Sequence, residues 1–145
     1  MSVEMILAAK GREVRTIAPD ATVGEALRRL RDERVGALVV SADGATVAGI
    51  VSDRDVLHAI ADRGAAALDE GVRDVMTERV LTCSARDPVG AIMVTMTNRR
   101  IRHVPVVDGD GRLCGIVSIG DVVKHRLDEI GREAEAMREY ISGAG

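Results

Sequence analysis

Phe and Trp are absent from the 145 residues, and Tyr140 is the single Tyr. The interior must therefore be aliphatic. Recognition by stacking bases on aromatic rings, as single-strand nucleic-acid binders and RNA-recognition sheets do, is almost excluded. Cysteine is equally scarce. Cys83 and Cys114 have neither CxxC spacing nor a His series beside them, so no redox motif and no zinc site is expected, only two buried thiols in a reducing cytosol. No apolar run approaches the roughly 18 residues that span a bilayer. The segment from Met1 to Lys10 carries Glu4 inside a short apolar stretch and lacks a basic start, unlike a signal peptide. A soluble cytoplasmic protein without a membrane partner is expected. A strong positive balance is missing too: 20 Lys and Arg face 23 Asp and Glu, a net charge of −3, and the pI of about 5.6 argues against a nucleic-acid surface. Only a local basic cluster could serve an anion. What is present is an ordinary 46% hydrophobic and 30% charged composition, long enough for one domain or two very small ones.

The organising feature is an internal repeat. Val14 to Val56 align with Val80 to Val122 without a gap, at an offset of 66. Identities include Gly24/Gly90, Arg34/Arg100, Gly49/Gly115, Ile50/Ile116, Ser52/Ser118 and Asp55/Asp121. Most substitutions exchange one apolar residue for another, as in Leu27/Met93 and Val35/Ile101, so the burial pattern repeats with the letters. In the first copy Val14 to Ile17 reads as a strand. Asp20 to Thr22 offers cap chemistry before the helical stripe Val23, Ala26, Leu27, Leu30. The second copy rebuilds that stripe after Asp87-Pro88 with Val89, Ile92, Met93 and Met96. Two hairpins follow at matching positions, Val35 to Val40 with Val47 to Val51, and Ile101 to Val107 with Leu113 to Val117. A second helix begins near Asp53 and again near Gly120. Each copy is thus strand, helix, strand, strand, helix, with Gly64 to Gly71 as a linker and Val72 to Thr77 opening the second unit.

Beyond the repeat, Val123, Leu127, Ile130, Ala134, Met137 and Ile141 are spaced 4, 3, 4, 3, 4. This seam packs either on its own domain or on a partner helix across a dimer interface. Gly131 weakens the helix by about 1 kcal/mol relative to Ala, which makes it a candidate kink.

Chemistry concentrates where a strand ends in a hydroxyl followed by a carboxylate, at Ser52-Asp-Arg-Asp55 and Ser118-Ile-Gly-Asp121. Such a phrase is close to a capping box, in which the hydroxyl satisfies free N–H groups of the first helical turn. It also suits a ligand, because a carboxylate at a helix start can accept hydrogen bonds from vicinal hydroxyls, as for the ribose of a dinucleotide. The two roles can coexist. Arg99, Arg100, Arg102 and His103 form a basic run that is either a solvated edge or a phosphate partner. Alternation on a strand sets Arg102 and His103 on opposite faces unless they straddle its beginning. The first copy has Gly36 and Ala37 at those positions, and Arg54 where the second has Gly120. His58, His103 and His125 form no HExxH, and there is no Gly-x-Ser-x-Gly or Walker-type loop, so neither catalysis nor a metal is expected.

The glycine-led Ser-x-x-Asp strands, the Arg102-His-Val-Pro-Val-Val107 strand and Val72-Arg-Asp-Val-Met-Thr77 together resemble the cystathionine-β-synthase (CBS) domain, here as a tandem pair or Bateman module. The likeness covers about residues 3 to 130. The Ser118-Ile-Gly-Asp-Val-Val-Lys124 phrase and the Arg138-Glu-Tyr-Ile141 tail are similar to those of small stand-alone bacterial signal-transduction pairs. The resemblance implies an α+β fold of two β-α-β-β-α units packed pseudo-symmetrically through their sheets, residues 1–66 and 67–130, with a helical extension at 131–145. It further implies a regulatory homodimer acting on another protein, whose clefts bind adenosine-containing ligands: AMP, ADP, ATP, NAD or S-adenosylmethionine. Carried over by position, Ser118 and Asp121 hold the ribose and phosphate side of one site, and Ser52 and Asp55 that of the other. The strand at Thr82 or Thr16 frames adenine, Met76, Val80, Val104 and Ile116 supply apolar walls, and Arg54, Arg102 and His103 meet phosphate. The competing expectation is a structural dimerisation module whose clefts are vestigial.

Overall fold

The computed structural model describes residues 1–144; residue 145, the end of the expected extension, lies outside the described residues. The chain runs α1 (Val3–Lys10), β1 (Thr16–Ile17), α2 (Val23–Glu33), β2 (Ala37–Val40), β3 (Gly49–Ser52), α3 (Asp53–Arg63), a 3-10 helix (Gly64–Asp69), α4 (Val72–Val75), α5 (Val89–Arg99), β4 (His103–Val107), β5 (Leu113–Ser118) and α6 (Ile119–Ala144). The mixed fold with a long C-terminal helix is the one expected.

Local chemistry explains the helix ends. Thr22 and Glu25 form a reciprocal capping box that starts α2, and Pro88 stands at the N-cap of α5. Both helices stop at an arginine in the left-handed region, Arg34 at φ 54° and Arg100 at φ 53°. Val23, Ala26 and Leu30 are buried on α2, and Val89, Ile92 and Met96 on α5. Leu27, expected within the stripe, is exposed instead, and its counterpart Met93 is half-buried.

In the first sheet β1 runs parallel to β2, and β2 pairs antiparallel with β3, setting Ala37 opposite Ser52 and Val40 opposite Gly49. In the second sheet β4 pairs antiparallel with β5, setting His103 opposite Ser118. The equivalent of β1 is here a single parallel bridge from Cys83 to Val106. It is held by Cys83 N–H to Pro105 O (3.0 Å) and Val107 N–H to Cys83 O (2.9 Å).

The two cores do not follow the division at residue 66. Helix α1, which precedes the first repeat in the chain, packs its Val3, Ile6 and Leu7 into the second core, beside Cys83, Met96, Val104 and Val117. Val72, at the start of the segment expected to open the second unit, lies in the first core with Val23, Leu38 and Val51. Each aliphatic side chain buried this way contributes about 1.5–3 kcal/mol. Two repeat-related glycines permit the exchange. A Cβ at Gly115 would stand 2.6 Å from Leu7 Cδ2, and one at Gly49 would stand 2.5 Å from Met76 Sδ and 2.9 Å from the Thr77 carbonyl. Helix α6 continues through Gly131 without interruption, and its Leu127, Ile130, Met137 and Ile141 are exposed.

Candidate functional site: two unequal clefts

At the end of β3 the chain turns directly into α3. The Asp55 N–H donates to Ser52 Oγ (3.2 Å), while Asp55 Oδ2 accepts the Ser52 N–H (2.9 Å) and hydroxyl (3.1 Å). The junction of β5 and α6 repeats the arrangement: Asp121 N–H donates to Ser118 Oγ (3.1 Å), and Asp121 Oδ2 accepts the Ser118 N–H (2.9 Å). Capping is therefore real at both corners and uses one carboxylate oxygen of each. The other, Oδ1, accepts no hydrogen bond from the described residues of the chain. A rigidly held carboxylate with one oxygen to spare is a suitable acceptor for a hydroxyl-bearing ligand.

Each corner opens onto a cleft closed by the opposite unit. The first cleft, about 390 Å³, sets Ile116, Ser118 and Asp121 against Arg34 to Ala37 and against Gly11, Glu13 and Arg15 from the segment before β1. The second, about 340 Å³, sets Ile50, Ser52, Arg54 and Asp55 against Arg99 to His103 and against Thr77, Arg79, Val80 and Leu81. Both fall within the range of small-ligand sites. Applying the offset of 66 to Gly11, Glu13 and Arg15 gives Thr77, Arg79 and Leu81, so the repeat organises the clefts as well as the folds. That offset is also the signal that could have revealed these lining residues in advance.

Of the residues expected at a site, Ile116, Ser118 and Asp121 line the first cleft, and Ser52, Arg54, Asp55, Val80 and Arg102 the second. His103 lines both. Arg102 and His103 do straddle the strand's beginning, because β4 starts at His103 and Arg102 is free of its alternation. Four expected residues line neither cleft. Val104 follows His103 on the opposite face of β4 and is fully buried in the second core. Met76 packs on the first core with its sulfur over Gly49. The Thr16 carbonyl is taken by the Arg29 guanidinium (2.5 Å), and Thr82 is exposed beyond the cleft wall.

Two arrangements were not visible in the sequence. Gly36, which departs from the basic pattern, makes room for His103: a Cβ there would stand 2.9 Å from the imidazole Cε1. Burial, reinforced by the Arg102 charge, pushes the His103 pKa below its ordinary value against the opposing pull of Asp53 and Asp121. This imidazole, whose charged form is disfavoured, is shared by the two clefts. The second arrangement is Lys10, at the end of α1, whose Nζ donates to Asp121 Oδ2 (2.6 Å) and to the Ile116 carbonyl (2.8 Å). Burial raises the Asp121 pKa, but the hydrogen bond from Lys10 and those from Ser118 outweigh it and bring the net direction below the ordinary carboxylate value. Across the other cleft, Arg102 Nη2 meets Asp53 Oδ1 at 2.5 Å and ties the units together.

Among the described residues no group of three or more His, Cys, Asp or Glu could hold a metal ion. Burial pushes the Cys83 thiol up to about 12, which makes it an unreactive core group. No helix of the described residues is long and apolar enough to cross a membrane.

Two sheets, two hydroxyl–carboxylate corners and two clefts related by one repeat define a tandem pair of like units. Comparison with known proteins agrees: the chain belongs to the CBS domain family, which residues 10–62 and 72–128 match separately. A CBS-domain containing protein from Agrobacterium tumefaciens is 46% identical, with a TM-score of 0.81 over 86% of this chain and 98% of its own. A CBS domain protein from Pyrobaculum aerophilum, solved complexed with AMP, is 30% identical, with a TM-score of 0.73 over 83% of this chain and 89% of its own. The mitochondrial CBS domain-containing protein CBSX3 of Arabidopsis thaliana is 38% identical over 86% of this chain; the match spans 62% of that protein's length.

Proposed function

We propose that the chain is a non-catalytic regulatory module that binds an adenosine-containing nucleotide, of the class AMP, ADP, ATP or NAD, in its inter-unit clefts and works as a homodimer. The observation that carries this reading is the pair of capped carboxylates, each lining a ligand-sized cleft with an Oδ1 that accepts no hydrogen bond from the described residues. The AMP complex of the Pyrobaculum relative supports the ligand class. Aliphatic cleft residues such as Val80, Ile50 and Ile116 suit adenine where no aromatic ring is on offer. Ligand binding at the seam would favour one relative arrangement of the units, and α6 would carry the change to a partner. The exposed apolar seam of α6 supports a helix-to-helix dimer contact.

Thermal unfolding with AMP, ADP, ATP and NAD tests the binding. A ligand at about 100 times its dissociation constant stabilises by about 2.7 kcal/mol. Absence of any shift contradicts the reading, and a shift that survives combined Asp55→Ala and Asp121→Ala contradicts the residue assignment. Sedimentation of Leu127→Glu should show a monomer; an unchanged dimer, or a monomeric parent, contradicts the helix contact. The Lys10–Asp121 pair favours a second reading for the first cleft alone, in which it is a structural joint rather than a site.

A further inference from the structure

We infer that the second cleft is built for a nucleotide carrying two or more phosphates, a demand the first cleft does not share. The inference rests on the nucleotide reading above and adds the number of phosphates and the side chains that select for it.

Five arginines line the second cleft, Arg54, Arg79, Arg99, Arg100 and Arg102, against the single carboxylate of Asp55. Arg102 is paired with Asp53, but the other four have no carboxylate partner among the described residues. Guanidinium groups gathered without counter-charges repel one another and attract a polyanion. One phosphate monoester brings at most about two negative charges, and one guanidinium can satisfy two of its oxygens in a fork. Four unpaired forks exceed what one phosphate can use.

The repeat supplies the control. Positions equivalent to Arg54, Arg79, Arg99 and Arg102 are Gly120, Glu13, Glu33 and Gly36, so of the five only Arg100 has a basic counterpart, Arg34. Both of these arginines hold positive φ, a conformation that usually favours glycine, and both stand at a cleft wall. In the first cleft, moreover, Glu13 already pairs with Arg15 (2.8 Å), and Lys10 already covers Asp121. A cation at the C-terminal end of α5 is favourable in its own right, which accounts for Arg99 or Arg100 but not for Arg54 and Arg79 on other elements.

The test is isothermal titration of the full chain with adenosine, AMP, ADP and ATP at fixed ionic strength. The expected result is ATP at least tenfold tighter than AMP, with a ratio that falls as salt rises. In Arg79→Ala/Arg99→Ala the ratio should collapse below about threefold, whereas Arg86→Ala, an exposed arginine away from both clefts, should keep it. Far-ultraviolet circular dichroism checks that the variants stay folded. Equal affinities for AMP and ATP overturn the inference while leaving the nucleotide reading in place. Silence from all four compounds overturns both, and a ratio unchanged in the double variant removes the arginines from the argument.

Discussion

The two clefts share one origin in the sequence and one backbone, yet they are chemically different. One has its carboxylate covered by Lys10 and offsets much of its charge internally; the other leaves Asp55 without an ionic partner among the described residues and collects five arginines. Duplication of a unit preserves the packing residues because both cores need them, while positions that touch only the cleft are free to diverge. Gly36 and His103 show how far this goes. They occupy neighbouring rather than equivalent repeat positions, and the absence of a side chain on one admits the ring of the other.

The largest effect should come from filling the glycines where one half crosses the other. Gly49→Ala meets the Thr77 backbone at 2.9 Å and cannot relax by a rotamer change, so a loss of about 1–3 kcal/mol is expected in chemical denaturation. Gly115→Ala meets only the Leu7 side chain and should cost less. Equal losses would mean the two crossings are not distinguished by backbone contact.

A smaller effect sharpens the contrast at the carboxylates. Lys10→Met installs the residue that occupies the equivalent position, Met76, and frees Asp121. The pair is partly exposed, so the stability lost should be within about 1 kcal/mol. A second, weaker nucleotide-binding event should then become stronger by a few-fold in titration calorimetry. If the weaker event is unchanged, Lys10 does not compete with ligand.

The smallest effect concerns pH. His103 has a folded pKa below that of the unfolded chain, so the unfolded state binds more protons once the pH drops below about 6.5. Stability is therefore greatest above that value and falls as pH is lowered toward the folded pKa. Asp121 has the same direction at lower pH: its contribution is present above about 3.8 and is lost as the pH falls through the depressed folded value. His103→Asn should flatten the upper part of the profile, measured by urea midpoints between pH 7 and 5. An unchanged slope would remove His103 as its cause.

Much of this architecture is legible in the sequence. The repeat located the helical stripes, both hairpins and the Ser-x-x-Asp corners, because periodic burial and capping are written in neighbouring residues. The exchange of α1 and α4 was hidden, since nothing local in Val3 to Leu7 says which core receives them. The cleft lining was legible at Asp55, Asp121, Arg102 and His103, where motif and position coincide. The lining was not legible at Val104, whose inward face depends on where β4 begins, or at Lys10, whose partner lies 111 residues away. Glu13 and Arg79 stayed hidden because they belong to segments that gain meaning only when the opposite unit closes over them.

The central claim is that the arginine-rich cleft at Asp55 is the principal nucleotide site. Calorimetric titration of ATP into the parent chain, Asp55→Ala and Asp121→Ala measures it most directly. The tight phase should weaken at least tenfold in Asp55→Ala, consistent with loss of charged hydrogen bonds worth about 1.5–3 kcal/mol, and persist in Asp121→Ala. Loss of the tight phase in Asp121→Ala with retention in Asp55→Ala would contradict the account.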